Sequence, residues 1–128
     1  MKYLGIDYGT RRIGLALSDD TLSLAFPYKT LQTSKDTLNE ILNIIKDKEV
    51  TCVVLGESKN LDMKDNPVME HIKILKSALE QNRVVVEYHP EFYSSAQVLS
   101  IMGEQNKAID ASAAAIILQN YLDLQKHI

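Results

Sequence analysis

Asp7 stands in a run that is otherwise apolar, aromatic or glycine, Tyr3-Leu-Gly-Ile-Asp-Tyr8. An ionised carboxylate in a buried strand is costly unless it is paired or metal-bound. The residues that follow, Gly9-Thr-Arg-Arg12, supply a glycine that permits tight backbone approach, a hydroxyl, and two guanidiniums able to meet phosphate. A turn in which Asp7 caps its own loop is the plain alternative. Glu91 comes just beyond the valine-rich stretch Val84–Tyr88, which reads as a strand, in His89-Pro-Glu-Phe-Tyr93. Ligands bind at the C-terminal ends of strands in open α/β sheets, although a glutamate near a helix start is also favoured by the helix dipole. Asp110 precedes Ala-Ser-Ala-Ala-Ala-Ile-Ile-Leu118 and fits an ordinary N-cap. Each carboxylate alone has a structural explanation. As a set, drawn from strand one, the end of a later strand and the start of the last helix, they can converge at one sheet edge. Such a cluster repels itself unless divalent cations neutralise it, and hard oxygen donors select Mg²⁺ or Mn²⁺ over zinc. Two such ions about 4 Å apart would activate water and stabilise the leaving oxygen of a phosphodiester.

The remaining candidates carry less. Glu57, Asp62 and Asp65 fall in a polar stretch, Gly56 to Asn66, and read as solvated. His89 could orient a water or a phosphate, but a structural histidine is the better reading. Ser94 and Ser95 look like a helix cap rather than nucleophiles, because no recognisable motif supplies a base. Tyr93 could stack on a base, yet tyrosine at a helix start more often joins the core. Cys52, in Val50-Thr-Cys-Val-Val-Leu55, reads as a small buried hydrophobe.

The elements that must position these residues follow from hydrophobic period. Tyr3–Tyr8 and Ile13–Ser18 read as antiparallel strands joined by a short hairpin loop. A third strand around Ser23 to Lys29 completes a meander, with Pro27 marking a strand end or an edge. After Thr33-Ser34 the period becomes helical, Leu38, Ile41, Leu42 and Ile45, with Ser34 as candidate N-cap. Thr51 to Leu55 is a short buried strand, and Asn66-Pro67 opens a helix lined by Val68, Ile72, Leu75 and Leu79. Val84–Tyr88 is a β-branched strand, Ser94-Ser-Ala-Gln97 opens a short helix ending near Gly103, and the last helix runs from about Ala111 to Gln125 behind an Asp110 cap. The order β-β-β-α-β-α-β-α-α predicts an α/β fold: a mixed five-stranded sheet, meander first and βα units after, with helices on both faces. On element order alone that is an RNase H-like arrangement, with other α/β folds still open.

The 128 residues amount to one domain, expected to span 1–128. With 45% apolar and 24% charged residues, disordered and collagen-like chains are excluded. No apolar run approaches a membrane span, and Asp7 sits where a signal peptide needs apolar residues, so a cytoplasmic protein with no membrane partner is expected. A single cysteine excludes an intramolecular disulfide and a Cys-rich zinc site. The net charge of −3 does not advertise nucleic-acid binding, but a local basic strip or bound cations can still carry phosphate contacts.

Gly5-Ile-Asp-Tyr-Gly-Thr-Arg-Arg-Ile-Gly-Leu-Ala-Leu-Ser-Asp19 strongly resembles the opening of the bacterial YqgF/RuvX family, RNase H-like proteins described as Holliday-junction resolvases and as nucleases processing the 5′ end of pre-16S ribosomal RNA. Pro27 with Thr30-Leu31, Val53-Val-Leu-Gly56, Glu91-Phe-Tyr-Ser-Ser-Ala96 and Ile109-Asp-Ala-Ser-Ala-Ala-Ala-Ile-Ile-Leu118 resemble its later segments. The likeness spans essentially the whole chain, and its first and last motifs are the specific ones. It implies that Asp7, Glu91 and Asp110 are catalytic, metal-binding carboxylates for two Mg²⁺ or Mn²⁺ ions. Asp7 would bridge the pair, and hydrolysis would leave 5′-phosphate and 3′-hydroxyl ends. Gly9, Thr10, Arg11 and Arg12, with Lys107, match positions that would meet nucleic acid.

The chain departs from the family pattern at three places. Gly56-Glu-Ser and Asn60-Leu-Asp-Met63 replace Gly-Leu-Pro and Asn-x-Asp-Gly, Pro90-Glu-Phe92 replaces Asp-Glu-Arg, and the basic run before the last aspartate shrinks to Lys107. All three remove features that help hold nucleic acid, while the three carboxylates remain. The resemblance therefore implies a nuclease on structured RNA or branched DNA, with rRNA processing in ribosome biogenesis favoured over junction resolution by the sparse basic charge. The protein is expected as a monomer or homodimer. A catalytically weak RNase H-like module binding nucleic acid or protein is the reading of another class. An actin-like or sugar-kinase ATPase, suggested by Asp7-Tyr-Gly-Thr10, would need a second lobe that 128 residues do not supply.

Overall fold

The computed structural model describes residues 1–58, 68–91 and 106–125. Five strands form one sheet in the order β3-β2-β1-β4-β5: β1 (Lys2–Tyr8), β2 (Arg12–Ser18), β3 (Ala25–Gln32), β4 (Val50–Ser58) and β5 (Val86–Glu91). β1, β2 and β3 pair antiparallel, and β4 and β5 add parallel on the other side of β1. The three described helices are α1 (Thr37–Asp47), α2 (Met69–Gln81) and α3 (Asn106–Gln125). The mixed sheet expected from element order is the one observed.

Strand alternation builds a core on each face. Leu4, Ile6, Ile13, Leu15, Val53 and Leu55 turn one way and pack against Ile41 and Ile44 of α1 and Ile72, Leu75 and Leu79 of α2. Ala16 and Val54 turn the other way, under Ala114, Ile117, Leu118 and Leu122 of α3. The second core is built around small side chains because α3 lies almost on the backbone of β1. A Cβ on Gly5 would fall 2.8 Å from Leu118 Cβ and 2.9 Å from the Ala114 carbonyl oxygen, well inside van der Waals contact. Gln119 ties this helix to the β2–β3 turn, accepting from Ala25 N–H at 2.8 Å and donating to the Ser23 carbonyl at 2.9 Å. Leu22 in that turn has φ of 58°, and the Asp19 carboxylate accepts from the Ser23 and Leu24 amides. Those bonds hold the Asp19 carboxyl below the ordinary carboxylate range.

Several boundaries differ from expectation. β3 runs on to Gln32, with Pro27 inside it. Proline is tolerated there because β3 is an edge strand and its register with β2 shifts at this point, leaving Ala16 opposite Pro27. Ser34 does not cap α1. Its hydroxyl accepts from Asp36 N–H while its own N–H donates to Thr37 Oγ1, so Ser34 builds the turn before the helix. β4 extends through Gly56, Glu57 and Ser58, where a loop was expected, because β5 continues the ladder to the pair Ser58↔Glu91. Val84 is not in a strand: its N–H donates to Leu79 O, closing α2 behind Arg83, whose φ is 65°. Three consecutive valines look like strand, but the first finishes a helix. The expected helix start at Asn66-Pro67 and the short helix from Ser94 to Gly103 lie outside the described residues. Among the described residues no helix is long and apolar enough to cross a membrane.

Candidate active site at one sheet edge

Asp7 is half-buried near the C-terminal end of β1, opposite Gly14 of β2. Its neighbours in sequence, Ile6 and Tyr8, pack into the α1–α2 core, so alternation turns Asp7 to the α3 face. The direction of α3 across that face follows from its contacts along β1. Tyr121 meets Tyr3 with ring centroids 6.1 Å apart, and Leu118 and Ala114 meet Gly5. Two residues of strand advance about 6.6 Å and one helical turn about 5.4 Å. Continuing the same steps brings the turn that contains Asp110 to the level of Asp7.

Asp110 was expected as the N-cap of a helix starting at Ala111. Instead α3 begins at Asn106, and Asp110 lies within the helix. It is therefore no cap, and the explanation of this residue as a terminator of loose amides is removed. Glu91, expected just past its strand, is the last residue of β5 itself. β1, β4 and β5 are parallel, so the ends of β1 and β5 that carry Asp7 and Glu91 point the same way, two strand spacings or roughly 10 Å apart across the sheet, with Glu91 two residues further along its strand. The backbone thus brings together at one sheet edge the strand ends holding Asp7 and Glu91 and the first turns of α3. Lys107 lies in the first turn of α3.

The loop after Asp7 is tight. A Cβ on Gly9 would fall 2.5 Å from the Arg12 carbonyl oxygen, so only glycine fits. Thr10, Arg11 and Arg12 are exposed beyond it. Thr33, at the end of β3, donates its hydroxyl to Gly9 O at 2.7 Å and its N–H to Arg11 O at 3.0 Å. Sequence reasoning treated Thr33 only as a boundary between strand and helix, and no local pattern marks a contact made across two strands.

His89 packs edge-on against Tyr121 with centroids 6.3 Å apart, and burial pushes its pKa below the ordinary histidine value, against a smaller opposing pull from Glu57. It behaves as the structural histidine expected. Cys52 is buried, and burial pushes its thiol up to about 11, so it too is a core group. Tyr121 is pushed up to about 12, chiefly by burial.

A meander extended by parallel βα units, with helices on both faces, is the RNase H-like fold. The likeness extends to solved structures: Thermus thermophilus RuvC superposes with a TM-score of 0.64 at 13% identity, over 99% of this chain and 97% of that one. The Fowlpox virus resolvase, solved with Holliday junction DNA, superposes with a TM-score of 0.65 at 12% identity, over 98% and 99% of the two chains. At such identities these establish the fold alone. Family membership rests on sequence: residues 1–124 match the model described as "RuvX: Holliday junction resolvase", and the chain belongs to that family. Relatives named "Putative pre-16S rRNA nuclease" include one from Maridesulfovibrio salexigens, 35% identical over 95% of this chain and 98% of its own length. Another, from Fusobacterium nucleatum, is 34% identical over 98% and 99%.

Proposed function

We propose that this protein is a divalent-metal-dependent endonuclease of the RNase H-like superfamily that processes the 5′ end of pre-16S ribosomal RNA. One observation supports it above the others: the ends of β1 and β5 that carry Asp7 and Glu91, and the first turns of α3 that carry Asp110, share one edge of the sheet. Family membership and the names of the relatives agree with the chemistry. An all-oxygen, three-carboxylate set suits Mg²⁺ or Mn²⁺ and no softer metal. Ions held there would offset the charge of the carboxylates and the phosphate and lower the pKa of an attacking water. Asp7, anchored between two paired strands, would fix the centre of the site, and Glu91 and Asp110 would each hold one side. Gly9, Thr10, Arg11 and Arg12 would bind the phosphates that flank the scissile bond, with Lys107 adding charge from the other side.

The family description favours one alternative substrate, a four-way DNA junction. Cleavage of a labelled pre-rRNA 5′ leader and of a labelled junction, each with Mg²⁺, Mn²⁺ or EDTA, separates the two. Metal-dependent cutting of the leader that is lost in Asp7→Asn is the expected result. Cutting of the junction alone would make the protein a resolvase. Binding of either without cutting would make it a catalytically weak binding module.

A further inference from the structure

Outside the carboxylates, the most tightly determined feature of this edge is the way β3 holds the loop that follows Asp7. Thr33 reaches the loop on both sides of Thr10, through its hydroxyl to Gly9 O at 2.7 Å and its amide to Arg11 O at 3.0 Å. The amide bond extends the β2–β3 ladder one step past its last pair, Arg12↔Gln32, and any residue but proline could make it. The hydroxyl bond is specific to Thr or Ser. It turns the Gly9 carbonyl toward β3. Because the peptide is trans, the Thr10 N–H then points the opposite way. A side chain at position 9 would meet the Arg12 carbonyl, so the tight path of this loop depends on glycine.

We propose that Thr33 is a positioning residue for nucleic-acid binding, whose hydroxyl pre-sets the Gly9–Arg12 loop so that the Thr10 amide and the Arg11 and Arg12 side chains meet the substrate backbone without first being ordered. This rests on the nuclease reading above and deepens it. Ordering an exposed loop at the moment of binding costs affinity, and a loop fixed beforehand avoids that cost. The backbone of Asp7 pairs with Gly14 in the β1–β2 ladder, so loss of the Thr33 hydroxyl should act on binding more than on the chemical step.

The test compares Thr33→Val, which keeps the shape and loses the hydroxyl, with Thr33→Ser, which keeps the hydroxyl. Ser18→Ala is the control, because Ser18 Oγ accepts from Tyr3 N–H at 2.8 Å, far from the loop in the same meander. Binding of the labelled pre-rRNA leader and of the four-way junction is measured in EDTA, and cleavage of whichever is cut is measured in Mg²⁺. Thr33→Val should raise Kd and KM about three- to tenfold, the effect of one lost hydrogen bond, with kcat within about twofold. Thr33→Ser should restore both, and Ser18→Ala should lower Tm without moving Kd. Unchanged binding in Thr33→Val, or an equal loss in Ser18→Ala, would overturn the proposal. A parent protein that binds but does not cut overturns the nuclease reading and leaves Thr33 to be judged on Kd. A parent that neither binds nor cuts overturns both.

Discussion

Replacing Gly5 by alanine tests the packing that carries α3, and with it Asp110, to the edge where Asp7 lies. The added Cβ would sit 2.8 Å from Leu118 Cβ and 2.9 Å from Ala114 O. Carbon–carbon contacts are comfortable at about 3.5–4.0 Å, so the methyl is roughly 0.7–1.2 Å too close to one neighbour. The other neighbour is helix backbone, which cannot rotate away as a side-chain tip could. Relief requires α3 to lift or slide. Overpacking of this kind costs about 1–3 kcal/mol. Alanine returns about 0.5–1 kcal/mol by restricting the unfolded chain more than glycine does. The mid-range values leave a net loss of about 1 kcal/mol, or roughly 4 °C in Tm for a chain of this length. Urea unfolding at pH 7 should show a lower midpoint with an unchanged slope. Metal-dependent cleavage should fall by more than stability does, on the order of a hundredfold, because a shift of about 1 Å between reacting groups costs that much. A Gly5→Ala protein with parental Tm would refute the close approach of α3. One that is destabilised yet cuts at the parental rate would refute the dependence of the site on the seating of α3.

Three further outcomes are expected. Gly9→Ala should cost about 1 kcal/mol or more through its clash with the Arg12 carbonyl, and weaken nucleic-acid binding in EDTA; a mutant that binds as tightly as the parent shows that loop shape does not matter. Burial lowers the pKa of His89, so the unfolded chain takes up this proton at higher pH than the folded one. Its contribution to stability is full above about pH 6.5 and declines as pH falls below that value; His89→Phe should flatten the urea midpoint between pH 7 and pH 5, and an unchanged slope there would assign the effect elsewhere. Cys52 should be inert to a thiol reagent at pH 8 in the folded protein and react at once in denaturant, since it is buried and its thiol is pushed up to about 11; rapid labelling of the native protein would show that β4 opens.

Local pattern determined a good deal of this molecule. Alternation in Leu4, Ile6, Ile13 and Leu15 puts these four side chains on one face of the meander, because strand period two leaves no other choice. The same rule makes Asp7 conspicuous, a charge in the run Tyr3–Tyr8 whose other residues are apolar, aromatic or glycine. The helical spacing of Ile72, Leu75 and Leu79 is equally local and equally reliable. What one-dimensional pattern could not supply is where ladders stop. β5 ran on to Glu91 because strand ends are set by hydrogen bonds to a neighbour distant in sequence, here β4, while Val84 is taken by the Leu79 carbonyl in the turn that follows α2. The start of α3 is similar: an aspartate before an apolar run reads as a cap, but the helix begins earlier, at Asn106. The seat of α3 on Gly5 and the grip of Thr33 on the Gly9–Arg12 loop were decided by tertiary structure alone. Both join residues separated by other elements, and sequence spacing holds no information about distances that only folding closes.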